Sequence, residues 1–138
     1  MRHRGLLGGL MAWLLVFLLA GACFGGTWRL AGTYRFDIPM GLSRTMSLKV
    51  NGGTYYKFRL AVEPVYGDPF IYRLVPISLA LHDPFKATGT TCLKYVAGIG
   101  EVTFTYTAAR TGYYNVVGAS GTGCLATLYV YEYCWSCR

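Results

Sequence analysis

The sequence contains no glutamine, and its only asparagines are Asn51 and Asn115. Histidine is almost as scarce, with His3 near the start and His82 far along the chain. Acids number six in 138 residues, and no two of them are close neighbours. Each scarcity removes a class of chemistry. One histidine beyond the first residues cannot supply a two-histidine metal site, and no H-E-x-x-H occurs. A Ser-His-Asp triad would have to be built on His82 alone. No G-x-S-x-G is present, because Gly118-Ala119-Ser120-Gly121 runs into threonine. A glycosidase pair of carboxylates would need acids brought together from distant parts of the chain. No catalytic residue, metal ligand or cofactor is therefore assigned, and an enzyme is not expected. The shortage of thermolabile amides fits a hot habitat.

Charge is missing from Gly5 to Trp28 as well. Arg2, His3 and Arg4 open the chain, Leu10 to Ala20 is apolar, and Ala20-Gly21-Ala22 is an A-x-A tripeptide. A basic start, a short apolar centre and a small-residue exit form the signal-peptide pattern. A membrane-spanning helix needs about 20 predominantly apolar residues, and six glycines dilute this window. Export is the expectation, with an uncleaved N-terminal membrane segment as the alternative. Leu19-Ala20-Gly21-Ala22-Cys23 is similar to the bacterial lipobox, which makes Cys23 a candidate for lipidation. Ordinary cleavage near Ala22, or pilin-like cleavage after Gly5, remains open beside it.

Removing residues 1–22 takes away Arg2 and Arg4 and leaves eleven Lys and Arg against six acids, a net charge of +5. The cations are scattered. Nucleic-acid binding needs a clustered basic stripe, so no nucleic-acid partner is expected.

Five cysteines are present, at 23, 92, 124, 134 and 137. With Cys23 acylated or removed, four remain, an even number suited to an oxidising compartment. Of the three possible pairings, Cys92–Cys124 with Cys134–Cys137 is favoured, because the last two share the short tail "CWSC". A redox pair, half a zinc site or a bridge between chains are the competing readings of that C-x-x-C.

What the chain has in abundance is alternation with period two, the strand period. "TMSLKV" and "YKFRLAVE" alternate apolar with polar residues, and the "NGG" between them is a hairpin signal. "ISLALHDP", "TCLKYVA", "EVTFTYT" and "RTGYYNVV" follow, punctuated by "PVYGDP" and Asp83-Pro84, where His82-Asp83 reads as a strand-end turn. "GASGTG", Gly118 to Gly123, reads as a flexible connection. It is not a phosphate loop, because a strand pattern and not a helix follows it. "LATLYVYEY" places Ala126, Leu128 and Val130 on one face and Tyr129, Tyr131 and Tyr133 on the other. Seven to nine short strands with Gly and Pro turns predict an all-β, antiparallel β-sandwich of jelly-roll type. The expected division is a leader at 1–22, a short linker at 23–32, the sandwich at 33–133 and a cysteine-containing tail at 134–138.

"ISLALHDP", "VTFTYTAARTGYYNVVGASGTG" and "ATLYVYEY" resemble the second half of bacterial pre-peptidase C-terminal domains. "AGTYRFDIP" and "GGTYYKFRL" are similar to that family's opening strands. The resemblance implies a compact sandwich, exported beside secreted enzymes, that serves in binding or secretion without catalysis. Ser78 and Ala80 stand where the family often carries extra aspartates linked to calcium, and Asp83 is the only acid there. With no protease attached, an accessory role would act in trans.

Twelve tyrosines are the unusual surface resource. Tyr129, Tyr131 and Tyr133 on one face can stack on sugars or anchor a partner, or can merely support one another across strands. The reading is an exported, envelope-tethered, non-catalytic β-sandwich that binds or structures an extracellular protein or glycan, with membrane contact through a lipid anchor. A self-associating subunit of an extracellular filament or surface layer is the alternative. An extracytoplasmic thiol-disulfide protein using Cys134 and Cys137 is the second.

Overall fold

The computed structural model describes residues 26–64, 71–83, 85 and 91–137. The leader, Cys23 and the questions of cleavage and lipidation lie outside those residues. Eight strands are present among them: β1 (Thr27–Ile38), β2 (Leu42–Val50), β3 (Tyr55–Val62), β4 (Pro76–His82), β5 (Cys92–Ile99), β6 (Glu101–Thr107), β7 (Gly112–Ser120) and β8 (Cys124–Cys134). A single 3-10 turn, Ile71–Leu74, leads into β4. Among the described residues no helix is long and apolar enough to cross a membrane.

The strands form two four-stranded sheets, ordered β1-β8-β3-β6 and β2-β7-β4-β5. This order is that of a jelly roll, two interlocked Greek keys in one sandwich. Among the described strands, only β4 and β5 are both consecutive in sequence and hydrogen-bonded to each other. The compact unit runs from Arg29 to Tyr133, and the tail from Cys134 belongs to a second unit.

Alternation explains the two layers. In β3, Tyr56, Phe58, Leu60 and Val62 are buried while Tyr55, Lys57, Arg59 and Ala61 are partly exposed. In β8, Ala126, Leu128 and Val130 turn inward. Facing them, β4 contributes Ile77, Leu79 and Leu81, and β7 contributes Tyr114 and Val116. Burying one such large apolar side chain stabilises the fold by about 1.5–3 kcal/mol.

Three expectations are corrected. The "NGG" turn does not close a hairpin. β2 pairs with β7, whereas β3 pairs with β6 and β8. Asn51 to Thr54 instead carries the chain from one sheet to the other, because both strands bury their apolar faces in the same core from opposite sides. Gly53 adopts φ 81 there, and its N–H donates to the Ala108 carbonyl.

The linker expected at 23–32 is in part strand, since β1 begins at Thr27. An edge strand that runs past the core needs no inward apolar side chains, so Thr27 to Gly32 lacks the alternation that reveals strands elsewhere. Lastly, the connection expected at Gly118 to Gly123 is strand as far as Ser120. Gly118 is an inward position where a Cβ would meet Ile38, Leu60 and Phe36 at 3.4, 3.5 and 3.7 Å. Those are ordinary contact distances, so Gly118 packs directly against the core.

Candidate functional site

The outer face of sheet β1-β8-β3-β6 carries the tyrosines. Because Ala126, Leu128 and Val130 are core, strand parity turns Tyr129, Tyr131 and Tyr133 outward, all partly exposed. Antiparallel register then decides their neighbours. Lys57 lies opposite Tyr131, and Arg59 lies opposite Tyr129. On the other side of β3, Tyr55, Lys57 and Arg59 face Thr107, Thr105 and Thr103.

Geometry joins these side chains into one surface. The Lys57 ammonium sits 4.7 Å from the centre of the Tyr131 ring, and the Arg59 guanidinium 5.2 Å from that of Tyr129. Each such contact stabilises by about 0.5–1 kcal/mol at an exposed site. Tyr129 and Tyr131 are stacked at 6.5 Å with planes 25° apart, and Tyr55 meets Tyr133 edge-on at 6.1 Å. Arg59 donates to the Glu101 carboxylate, and that bond raises its pKa further above the usual guanidinium value. Strand parity in "LATLYVYEY" identifies three of the tyrosines. Tyr55, Lys57 and Arg59 escape a sequence reading because nothing local says that β3 lies beside β8.

A second feature lies at the end of the sandwich where β3 stops and β7 turns into β8. A cleft of about 530 Å³ is walled by Val62, Pro64, Leu74, Val75 and Leu125, with Cys124 in its side. Glu63 borders it, accepting from Arg35 at 2.8 Å and from the Thr127 hydroxyl at 2.9 Å. This cleft suits a small apolar group. No single stretch of the sequence announces it, because its walls come from the end of β3, the approach to β4 and the β7–β8 turn.

The cysteines divide. Cys134 and Cys137 are bridged, with Cα atoms 5.3 Å apart, in the tail that follows β8. The expected bridge between Cys92 and Cys124 is not present, and both are free thiols. Cys92 stands opposite His82 at the end of β4. Cys124 lies beside Ser120, whose hydroxyl donates to the Pro76 carbonyl at the start of β4. The length of β4 therefore separates them, about 20 Å at ~3.3 Å per residue. A disulfide needs Cα atoms within about 7 Å. Burial pushes the Cys124 thiol up from its ordinary pKa, and the Ser120 hydroxyl offsets part of that shift. Among the described residues no three His, Cys, Asp or Glu side chains come together as a metal site.

No family model matches this chain, and no curated protein matches it in sequence. Solved structures are similar to it. A protein of Bacillus endospore appendages, which form a family of disulfide-linked pili, is 9% identical with a TM-score of 0.50. The match covers 83% of this chain and 92% of that one. CorA, a surface-associated copper-binding protein of Methylomicrobium album BG8, is 10% identical with a TM-score of 0.48 over 72% of this chain and 92% of its own. A carbohydrate-binding module from Cellvibrio mixtus lichenase 5A is 12% identical with a TM-score of 0.33 over 80% and 95%.

Proposed function

We propose that this protein is an extracytoplasmic, non-catalytic jelly-roll module that binds an extended glycan across the tyrosine face of β8 and β3. The observation that supports the reading is the joined surface of Tyr55, Tyr129, Tyr131 and Tyr133 with Lys57 and Arg59 among the rings. Aromatic rings spaced along a strand offer flat apolar surface to sugar rings, while the cations and the threonines of β6 offer hydrogen bonds and charge. The signal-like leader and the Cys134–Cys137 bridge support a place outside the cytoplasm. The resemblance to pre-peptidase C-terminal domains agrees with a role in binding. The scarcity of histidine and of neighbouring acids supports the absence of catalysis.

The test is a glycan array followed by titration calorimetry on the full chain in mild detergent, with neutral and uronic-acid polysaccharides. Binding is expected, and Tyr129→Ala with Tyr131→Ala should weaken it about tenfold or more, since each aromatic contact contributes about 0.5–1.5 kcal/mol beyond its area. Far-UV circular dichroism of the double variant should stay unchanged, because both rings lie outside the core. Binding to no glycan, or equal binding by the double variant, refutes the reading.

A further inference from the structure

A sandwich has four edge strands, and here they are β1 and β6 in one sheet and β2 and β5 in the other. An unpaired edge is a template for another chain, and soluble proteins guard it with charge. Two of these edges are guarded: β1 carries Arg29, Arg35 and Asp37, and β2 carries Arg44 and Lys49. β6 has a single charge, Glu101, at its start, and its large apolar residues Phe104 and Tyr106 pack against the core. β5 carries only Lys94, at its irregular end, where the register with β4 shifts between Leu81 and His82. From Tyr95 to Ile99 it has neither charge nor proline. Tyr95 and Ile99 are 65% and 64% exposed, which is unusual for two large apolar residues on one short edge.

We propose that β5 pairs antiparallel with β5 of a second copy, around a two-fold axis through Ala97, to form a dimer with one continuous eight-stranded sheet. Self-complementarity selects this occupant. With Ala97 on the axis, Tyr95 lies opposite Ile99 of the second copy on both sides, an aromatic–β-branched pair of the kind that stabilises sheets. Val96 lies opposite Gly98, and Lys94 meets the turn at Gly100 with no cation against it.

The outer face of the sheet continues across the axis in the same chemistry. Within one copy, Ala119, Ser78 and Ala97 form one cross-strand row, and Val117, Ala80 and Tyr95 form the next. Neither row holds a charge. The alternative, β5 against β2 of a neighbour, would bring an apolar strand to an edge bearing Arg44 and Lys49, and it would propagate as an open array. An isologous contact closes after two copies. The dimer edge and the tyrosine face belong to different sheets, so each can fail without the other.

The experiment is sedimentation velocity on the full chain in mild detergent across a dilution series. A concentration-dependent species of two chains is expected. Tyr95→Lys and Ile99→Lys should each leave a single chain with wild-type circular dichroism, since both side chains are exposed. Ser47→Lys, on the β2 edge, should leave the dimer intact. In chains also carrying Cys92→Ser and Cys124→Ser, Ala97→Cys should give a reducible band of twice the mass that is absent from the parent. A single chain at every concentration, a dimer that survives Tyr95→Lys, loss of association in Ser47→Lys, or no cross-link through position 97 each overturns the proposal.

Discussion

Two glycines with nearly the same backbone conformation should respond very differently to one added methyl group. Gly41, in the β1–β2 turn, has φ 69, and Gly123, in the β7–β8 turn, has φ 74. Alanine in this left-handed region costs about 1–2 kcal/mol at either position. At Gly41 nothing lies within 4 Å of the new Cβ. At Gly123 it would meet the Met40 nitrogen at 2.8 Å, the Met40 Cα at 3.1 Å and the Ile38 carbonyl oxygen at 3.2 Å. Those atoms are backbone of the adjacent turn and cannot rotate away. Forcing such a shift adds about 1–3 kcal/mol. Gly41→Ala should therefore lower stability by about 1–2 kcal/mol, and Gly123→Ala by about 2–5 kcal/mol. Urea unfolding followed by tyrosine and tryptophan fluorescence reads both, with the slope unchanged and the midpoint moved. Equal losses at the two sites would refute the packing of the β7–β8 turn against β1, and with it the shape of the cleft that Gly123 lines.

Further outcomes concern the sulfur atoms. Alkylation of the unreduced protein should modify exposed Cys92 readily, whereas Cys124 should lag and need more alkaline solution, because burial raises its pKa; mass spectrometry after tryptic digestion distinguishes the sites. By linkage, a thiol whose folded pKa exceeds its unfolded one contributes stability below the unfolded value and loses it as pH rises through the folded value. Thermal stability should thus fall above the ordinary thiol range, and Cys124→Ala should blunt that decline; an unchanged alkaline profile in the variant would count against it. Reducing Cys134–Cys137 opens a loop with a sequence separation of only three. The entropy of so short a loop amounts to about 2 kcal/mol, so differential scanning calorimetry should record a modest fall in melting temperature with the sandwich still folded.

Much of the fold is written in period two. β3, β6 and β8 announce both their existence and their inner faces, because each buries one side of a continuous alternation. Partners are another matter. The "NGG" between β2 and β3 has the chemistry of a hairpin turn, yet the strands it joins lie in different sheets. Alternation specifies which face is dry and says nothing about which strand lies alongside. Thr27 to Gly32 hides because an edge beyond the core has no burial to encode, and Gly118 hides because a glycine reads as a turn although it holds an inward strand position here. The same limit governs the site. Tyr129, Tyr131 and Tyr133 are legible from parity, but their cationic neighbours come from pairing some 70 residues apart in sequence. The thiols of Cys92 and Cys124 make an even count with the bridged pair, and only three-dimensional placement shows that they stand at opposite ends of β4.

The position of β8 has a kinetic consequence. It is inserted between β1 and β3, and β1 hydrogen-bonds to no other of the described strands. The earliest strand must therefore wait, unpaired, until nearly the whole remaining chain has been made. Such non-local topologies fold in milliseconds to seconds, far more slowly than helical bundles. A polypeptide with this delay stays open while ribosomes are still extending it. Its apolar strands are bare for that interval, so the window for aggregation closes only when β8 arrives.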